Sequence, residues 1–257
     1  MTMLKAITFD LDDTLWDNHG VMARTEEGHY RWLLEALEAW RAARQEPALV
    51  LTHEGGGRDY LQRRQQLAKQ VSERRGDFTW LRLRALEAQL EAAGLTRSAA
   101  LMWAAAAMNE FHRLRVQVTP HPEAAGLLAV LTERYQLAAI TNGNIHLARQ
   151  PLAAYFPVAI AAGELLAPKP DPTPFLTALA RLNVAPEHAM HVGDSWQEDV
   201  LPAQQLGMHA VWISALEDQP LPPRVHRIAH VKELPRVLEM LEKAGLETHH
   251  SGGVYSH

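Results

Sequence analysis

Two rhythms alternate along the chain: short apolar runs, and longer stretches with helical spacing. The run over 4–9 contains Ile7 and Phe9 and stops at Asp10, which predicts a short buried strand of a parallel sheet. From about Asp17 to Val118 strand signals vanish. That stretch is rich in Ala, Leu, Glu, Arg and Gln, all good helix formers. It predicts four helices, over about 19–44, 57–74, 78–93 and 97–114. Pro47 and the glycines at 55–57 separate the first two, Gly76 separates the second from the third, and Gly94 ends the third.

The rhythm changes at Pro120. A helix over about 122–135 leads to an apolar run, 137–140, that stops at Thr141. A second run, 158–161, follows a short helix, and the next helix, 172–183, carries Pro in its tolerated first turn. Then come a strand at 189–192 that stops at Gly193-Asp194, a helix over 197–206, a strand at 210–213 and a last helix over about 231–244. Strands alternating with helices predict an α/β fold with a doubly wound, Rossmann-like parallel sheet. A structureless loop of about a hundred residues is implausible, so the helical stretch reads as an inserted all-helical domain. The expected division is a core of 1–16 and 119–246, a helical insert of 17–118, and a disordered tail of 247–257. The run of alanines at 104–107 fits either close helix packing or plain helix propensity.

Composition narrows the class. Of 257 residues, 47% are hydrophobic and 21% charged, as in a globular protein able to bury a core. The net charge of −5 gives no footprint for nucleic acid. There is no cysteine, which removes disulfides and thiolate metal sites. No apolar segment suggests a leader or a membrane partner, so the cytoplasm is the expected location; the oligomeric state is left open.

The candidate chemistry lies just after the strands, where open α/β sheets bind ligands. Asp10-Leu11-Asp12-Asp13-Thr14 follows the first strand and Thr141-Asn142-Gly143-Asn144 the second. Lys169-Pro170-Asp171 lies downstream of the third, and Gly193-Asp194-Ser195 follows the fourth, with Glu198 and Asp199 behind. Asp10, Asp12 and Asp194 would crowd negative charge into one cleft, and a divalent cation removes the conflict. With oxygen ligands only, Mg²⁺ comes first. Lys169, Thr141 and the backbone near Asn142 suit phosphate oxygens, and Gly143 allows close approach of the backbone.

These four motifs, in this order and strand context, resemble the haloacid dehalogenase-like hydrolase superfamily. The resemblance covers the α/β core, and the insert sits where that family carries a helical cap of the first type. It implies that Asp10 is the nucleophile and Asp12 the general acid/base. It implies Mg²⁺ held by Asp10, Asp194 and the backbone carbonyl of Asp12, with Asp199 and Glu198 supporting from behind. It implies that Thr141 and Lys169 bind the phosphoryl group, and that hinges run through 16–18 and 116–120.

Dehalogenases of this superfamily lack the second aspartate, so Asp12 favours phosphoryl transfer. The segments 10–18, 79–84 and 140–144 further resemble bacterial phosphatases of flavin mononucleotide and of 5-amino-6-(5-phosphoribitylamino)uracil, which links the chain to riboflavin biosynthesis. Asn18, Trp80, Arg82 and Arg84 are the candidate substrate contacts in the cap. Two alternatives stand beside the phosphatase: a sugar phosphomutase, and a non-catalytic protein that binds a phosphorylated ligand.

Other features read as structural. His188 and His191 are expected as ordinary strand residues on opposite faces. Trp32, Trp40 and Trp103 fit a helical core. The glycines at 55–57 carry no phosphate-loop signature. His249, His250 and His257 fall in the expected tail.

Overall fold

Six parallel strands form one sheet: β1 (Ala6–Phe9), β2 (Gln136–Thr141), β3 (Val158–Ala161), β4 (Ala189–Gly193), β5 (His209–Ile213) and β6 (Val225–Ile228). The computed structural model describes residues 3–51, 53–161, 163, 165–215 and 220–250. The strand order is β3-β2-β1-β4-β5-β6. β1 is therefore central, and the order reverses on either side of it, which opens a crevice at its carboxyl end. The expected doubly wound α/β architecture is present.

The alternation of side chains divides β1 between two cores. Ile7 and Phe9 pack with α5 (Ala124–Thr132) and α8 (Leu234–His250), through Leu128, Leu131, Leu234 and Leu238. Ala6 faces the other side, with α6 (Thr173–Leu182) and α7 (Leu201–Gln205), through Phe175, Leu179 and Ala203.

Helices α1 (Val21–Ala43), α2 (His53–Gln70), α3 (Phe78–Ala92) and α4 (Arg97–Arg115) build a third core, which draws its buried side chains from these helices and the α3–α4 turn. In α4 the buried stripe is Ala100, Ala104, Ala107, Met108, Phe111 and Arg115, a helical spacing. Ala104 and Ala107 are fully buried while Ala105 is exposed, so the alanine run serves packing on one side only. Caps fix two helix starts. The Asp77 carboxylate accepts from the Trp80 N–H at 3.0 Å, and the Thr96 hydroxyl accepts from Ala99.

Four details depart from the sequence reading. The glycines at 55–57 lie inside α2 and are not a break. A Cβ on Gly56 would sit 2.2 Å from the Tyr30 hydroxyl, and Gln89 donates to the Gly56 carbonyl at 2.6 Å; close packing explains that glycine. The expected helix over 197–206 begins as a π-helical turn, Trp196–Val200, before α7. Strand β6 was not anticipated. The tail expected from 247 is helical through His250, which takes in His249 and His250; residues 251–257, with His257, lie outside the described residues. Among the described residues no helix is long and apolar enough to cross a membrane.

The third core meets the sheet partly through histidines. His112 of α4 packs edge-on against His146, with ring centroids 4.3 Å apart. Burial, then the charges of His146, Arg149 and Arg82, pushes His112 down to about 4. An unfolded histidine titrates near about 6.5, so the unfolded chain binds the proton more readily between the two values. Stability should therefore fall as pH drops from about 6.5 towards 4. His112→Gln should remove part of that slope in urea denaturation followed across pH.

Candidate active site

The carboxyl ends of β1, β2 and β4 bring most of the motif residues together. Asp10 follows β1 directly, and its backbone N–H donates to Val192 of β4 at 2.8 Å. The chain then turns tightly: Leu15 donates to the Leu11 carbonyl at 2.9 Å, and Asp13 takes a left-handed conformation, φ 59°.

Lys169 is 3% exposed and bridges two carboxylates. Its ammonium donates to Asp10 Oδ1 at 2.6 Å and to Asp199 Oδ1 at 2.5 Å. Burial works against the lysine's charge, but Asp10 and Asp199 more than offset it and hold its pKa above the ordinary value. One lysine cannot neutralise both acids. Burial raises Asp10 well above the carboxylate range, and Lys169 only partly counters that, while Asp199 and Asp12 add to it. Burial also works against Asp199, yet Lys169 and His191 outweigh it and pull its carboxyl to about 2. Asp194 is pushed up to about 6, by burial and then by Asp199 and Asp13.

Oxygen atoms of Asp10, Asp194 and Asp199 lie within 4.8 Å of one another. This acidic cluster could hold a metal ion. The donors divide unequally. Both Asp199 oxygens already accept hydrogen bonds, Oδ1 from Lys169 and from the His191 ring at 3.1 Å, and Oδ2 from the Ser195 N–H at 3.0 Å. Asp199 thus serves the lysine. Asp10 and Asp194 are the members whose pKa values are raised, by burial first and by neighbouring carboxylates after it.

Asn142 acts as a clip. Its side chain accepts from the Lys169 N–H at 2.8 Å and donates to the Lys169 carbonyl and to Glu198, each at 2.9 Å. Its amide is therefore committed within the protein, and one Glu198 oxygen is taken up by the same contact. Thr141 is buried, and its hydroxyl accepts from the Gly143 N–H at 2.9 Å. A Cβ on Gly143 would lie 2.6 Å from Asp12 Oδ2, which only glycine avoids.

The expected cap contacts fare differently. Arg82 is buried, donates to Glu26 through Nε at 3.0 Å and Nη2 at 2.7 Å, and donates to the Phe78 carbonyl. Arg84 pairs with Glu87 at 2.5 Å, and Trp80 is flanked by the guanidinium groups of Arg74 and Arg84. These three are occupied within the helical segment. Asn18 donates its backbone N–H to Asp13 at 2.8 Å, beside the turn that follows β1. Residues 76–79 are set against 142–144 and Gly163 across a cleft of about 10 Å³, room for about one water. A Cβ on Gly163 would sit 1.9 Å from the Gly76 carbonyl oxygen, so the two sides touch.

Three side chains that contact the candidate residues escaped the sequence reading. Arg115 reaches both Asp12 oxygens through Nη2, at 2.6 and 2.5 Å, and Trp16 Nε1 donates to Asp12 Oδ1 at 2.8 Å. His191, read as an ordinary strand residue, links the Thr8 hydroxyl, at 2.7 Å, to Asp199. Arg115 carried a signal: it lies four residues beyond Phe111 on an apolar helical stripe.

The sequence matches a family described as hydrolase, haloacid dehalogenase-like hydrolase, over residues 4–207. It is 33% identical over 210 residues to the 5-amino-6-(5-phospho-D-ribitylamino)uracil phosphatase YigB of Escherichia coli, covering 82% of this chain and 83% of that protein. It is 40% identical over 109 residues to a phosphoserine phosphatase of Thermus thermophilus, covering 40% of this chain and 44% of that one. A solved structure described as a 2-haloacid dehalogenase from Pseudomonas syringae superposes with a TM-score of 0.79 at 35% identity, covering 93% of this chain and all of that one.

Removing the ammonium tests the electrostatics. Lys169→Met leaves Asp10 and Asp199 buried without a cation and should cost about 3–5 kcal/mol in metal-free urea denaturation. The loss should be smaller near about pH 5 than near pH 8, because acid lets a carboxyl take up a proton.

Proposed function

This chain belongs to the haloacid dehalogenase-like hydrolase family as a phosphatase, and from that premise we propose that it cleaves a small phosphate monoester through an aspartyl-phosphate on Asp10, with Mg²⁺ as cofactor. The observation that carries the reading is the Asp10–Lys169–Asp199 bridge at the end of β1, with the Asp12 carboxylate two residues on. Asp10 supplies the attacking oxygen. Lys169 places positive charge where the transferred phosphoryl group gathers negative charge, and Thr141 with the N–H groups of the following turn supplies further donors.

In the first step the Asp10–phosphorus bond forms, the ester bond breaks, and Asp12 gives its proton to the leaving oxygen. In the second, water attacks phosphorus, Asp12 takes a proton from it, and Asp10 is released. The donor set fits a hard divalent ion: the side chains of Asp10 and Asp194 with the backbone carbonyl of Asp12 would hold Mg²⁺, and Asp199 supports from behind through Lys169. When bound, the ion supplies positive charge that relieves the crowded carboxylates and the phosphoryl oxygens.

The segment 17–118 acts in this reading as a cap. The closed cleft implies that substrate enters when residues 76–79 move off the sheet, by hinging near 16–18 and 116–120. The substrate class, a phosphorylated ribityl compound or nucleotide, is supported by the similarity to the E. coli ribitylaminouracil phosphatase over most of both chains. Specificity then rests on residues 76–79, and Arg82 and Arg84 act as internal supports of the cap. A dehalogenase reading, prompted by the P. syringae neighbour, leaves Asp12 without a task.

Phosphate release from a panel of esters is the direct test. The panel should hold flavin mononucleotide, ribitylaminouracil phosphate, nucleoside monophosphates and sugar phosphates. Release should require Mg²⁺, stop with EDTA and stop in Asp10→Asn, with the ribityl esters ranked first. Equal turnover of simple sugar phosphates would remove the substrate assignment. No release from any ester by the folded, metal-loaded protein would favour the mutase or the binding-only alternative.

A further inference from the structure

We infer that Arg115 and Trp16 form a clamp that sets the orientation of the Asp12 carboxylate, each reaching it from one of the two connections between the sheet and the helical segment. The inference rests on the reading of Asp12 as the general acid and base.

Trp16 lies on the outgoing connection and is fully buried. It forms strand-like bridges with Asp12 and with Pro120 of the returning connection, and the His121 N–H donates to the Leu15 carbonyl at 2.9 Å. Arg115 ends α4, just before that returning connection, and is 1% exposed. The next residue is tied to the sheet side, because Gln150 donates to the Val116 carbonyl at 2.5 Å. Both connections thus meet at a single carboxylate.

Among the described residues the guanidinium gives its hydrogen bonds to Asp12 alone. Arg115 Nε and Nη1 are buried and have no hydrogen-bond partner among the described residues. Burying N–H groups unpaired is unfavourable, so packing does not account for an arginine here; its contact with Asp12 does. The clamp also lies beside the phosphate-binding turn: a Cβ on Gly143 would sit 3.1 Å from the Thr141 hydroxyl and 3.4 Å from Arg115 Nη2.

Proton transfer needs the donor aligned with the leaving oxygen, and an aspartate carboxyl held by nothing rotates freely about its stem. Two donors remove that freedom: Trp16 Nε1 and Arg115 Nη2 both hold Oδ1, and Nη2 also reaches Oδ2. Because α4 carries Arg115, a displacement of the helical segment that admits substrate also withdraws one donor, and closure restores it. Arg115 and Trp16 are positioning residues; they exchange no proton.

The test separates esters by their need for an acid. A p-nitrophenolate departs without a proton, whereas an alkoxide requires one. Phosphoenzyme formation should be followed by rapid quench in the Mg²⁺-loaded full chain, with p-nitrophenyl phosphate and with an alkyl phosphate. The variants are Trp16→Phe, Arg115→Met and Arg115→Lys, with Asp12→Asn as reference. Trp16→Phe and Arg115→Met should each slow the alkyl ester about tenfold or more, leave the aryl ester and both KM values within about twofold, and Arg115→Lys should recover part of the loss. Should Arg115→Met fail to fold, Trp16→Phe, which keeps the buried ring, carries the test. Equal losses on both esters, or no loss while Asp12→Asn discriminates between them, would overturn the clamp. If Asp12→Asn itself does not discriminate, the general-acid assignment fails, and the clamp fails with it.

Discussion

Lys169 lies buried between Asp10 and Asp199, and the carboxyl end of the sheet is arranged around that shared charge. Two carboxylates this deep cannot both stay ionised alone, and an ammonium there would not stay charged without them. Each group makes the others tolerable, so their positions are fixed together. Asp199 reaches the lysine from the π-helical turn after β4, and the same turn lets it accept from Ser195 behind it. His191 then ties Asp199 to Thr8 inside β1. The outcome is one carboxylate fully supplied with donors and one, on Asp10, left under-supplied. That asymmetry gives the two carboxylates different environments, as the proposed division between a support and a nucleophile requires.

The lysine is placed by β2 as well. Asn142 holds both the N–H and the carbonyl of Lys169, so a loop far along the chain takes its position from a strand end beside β1. Three strands therefore converge on the cleft through side chains whose own rotamers are locked. A site on rigid elements keeps the precision that in-line displacement demands.

The sheet and the core motifs were legible because both signals are local. An apolar run followed at once by Asp10, Thr141 or Asp194 marks a strand and its polar end together. The helical segment was legible in its helices, to within a few residues, and illegible in its chemistry. Arg82 looked free in sequence, yet Glu26, from a different helix, takes its guanidinium. Glycines at 55–57 looked like a break because nothing local shows that the Tyr30 hydroxyl lies against Gly56. Strand β6 was missed because its middle residues are only half buried, as suits the edge of a sheet. His191 reads as an ordinary strand residue until its neighbours in space are known. Arg115 is the exception, because its place on the α4 stripe could be read, and only its partner could not.

β1 holds the middle of the sheet, yet both strands that flank it lie far downstream, at Gln136–Thr141 and Ala189–Gly193. A ribosome makes the chain from the amino end. During synthesis the four helices can gather their own core while β1, buried on both faces in the finished fold, still lacks its neighbours. Asp10 thus waits beside a strand that keeps one edge open, even after β2 has paired with it, until β4 emerges, a state open to wrong partners. The chain is exposed to misassembly for most of its translation, and the late arrival of Lys169 and Asp199 means that the buried charge cluster around Asp10 is complete only once the sheet has closed around β1.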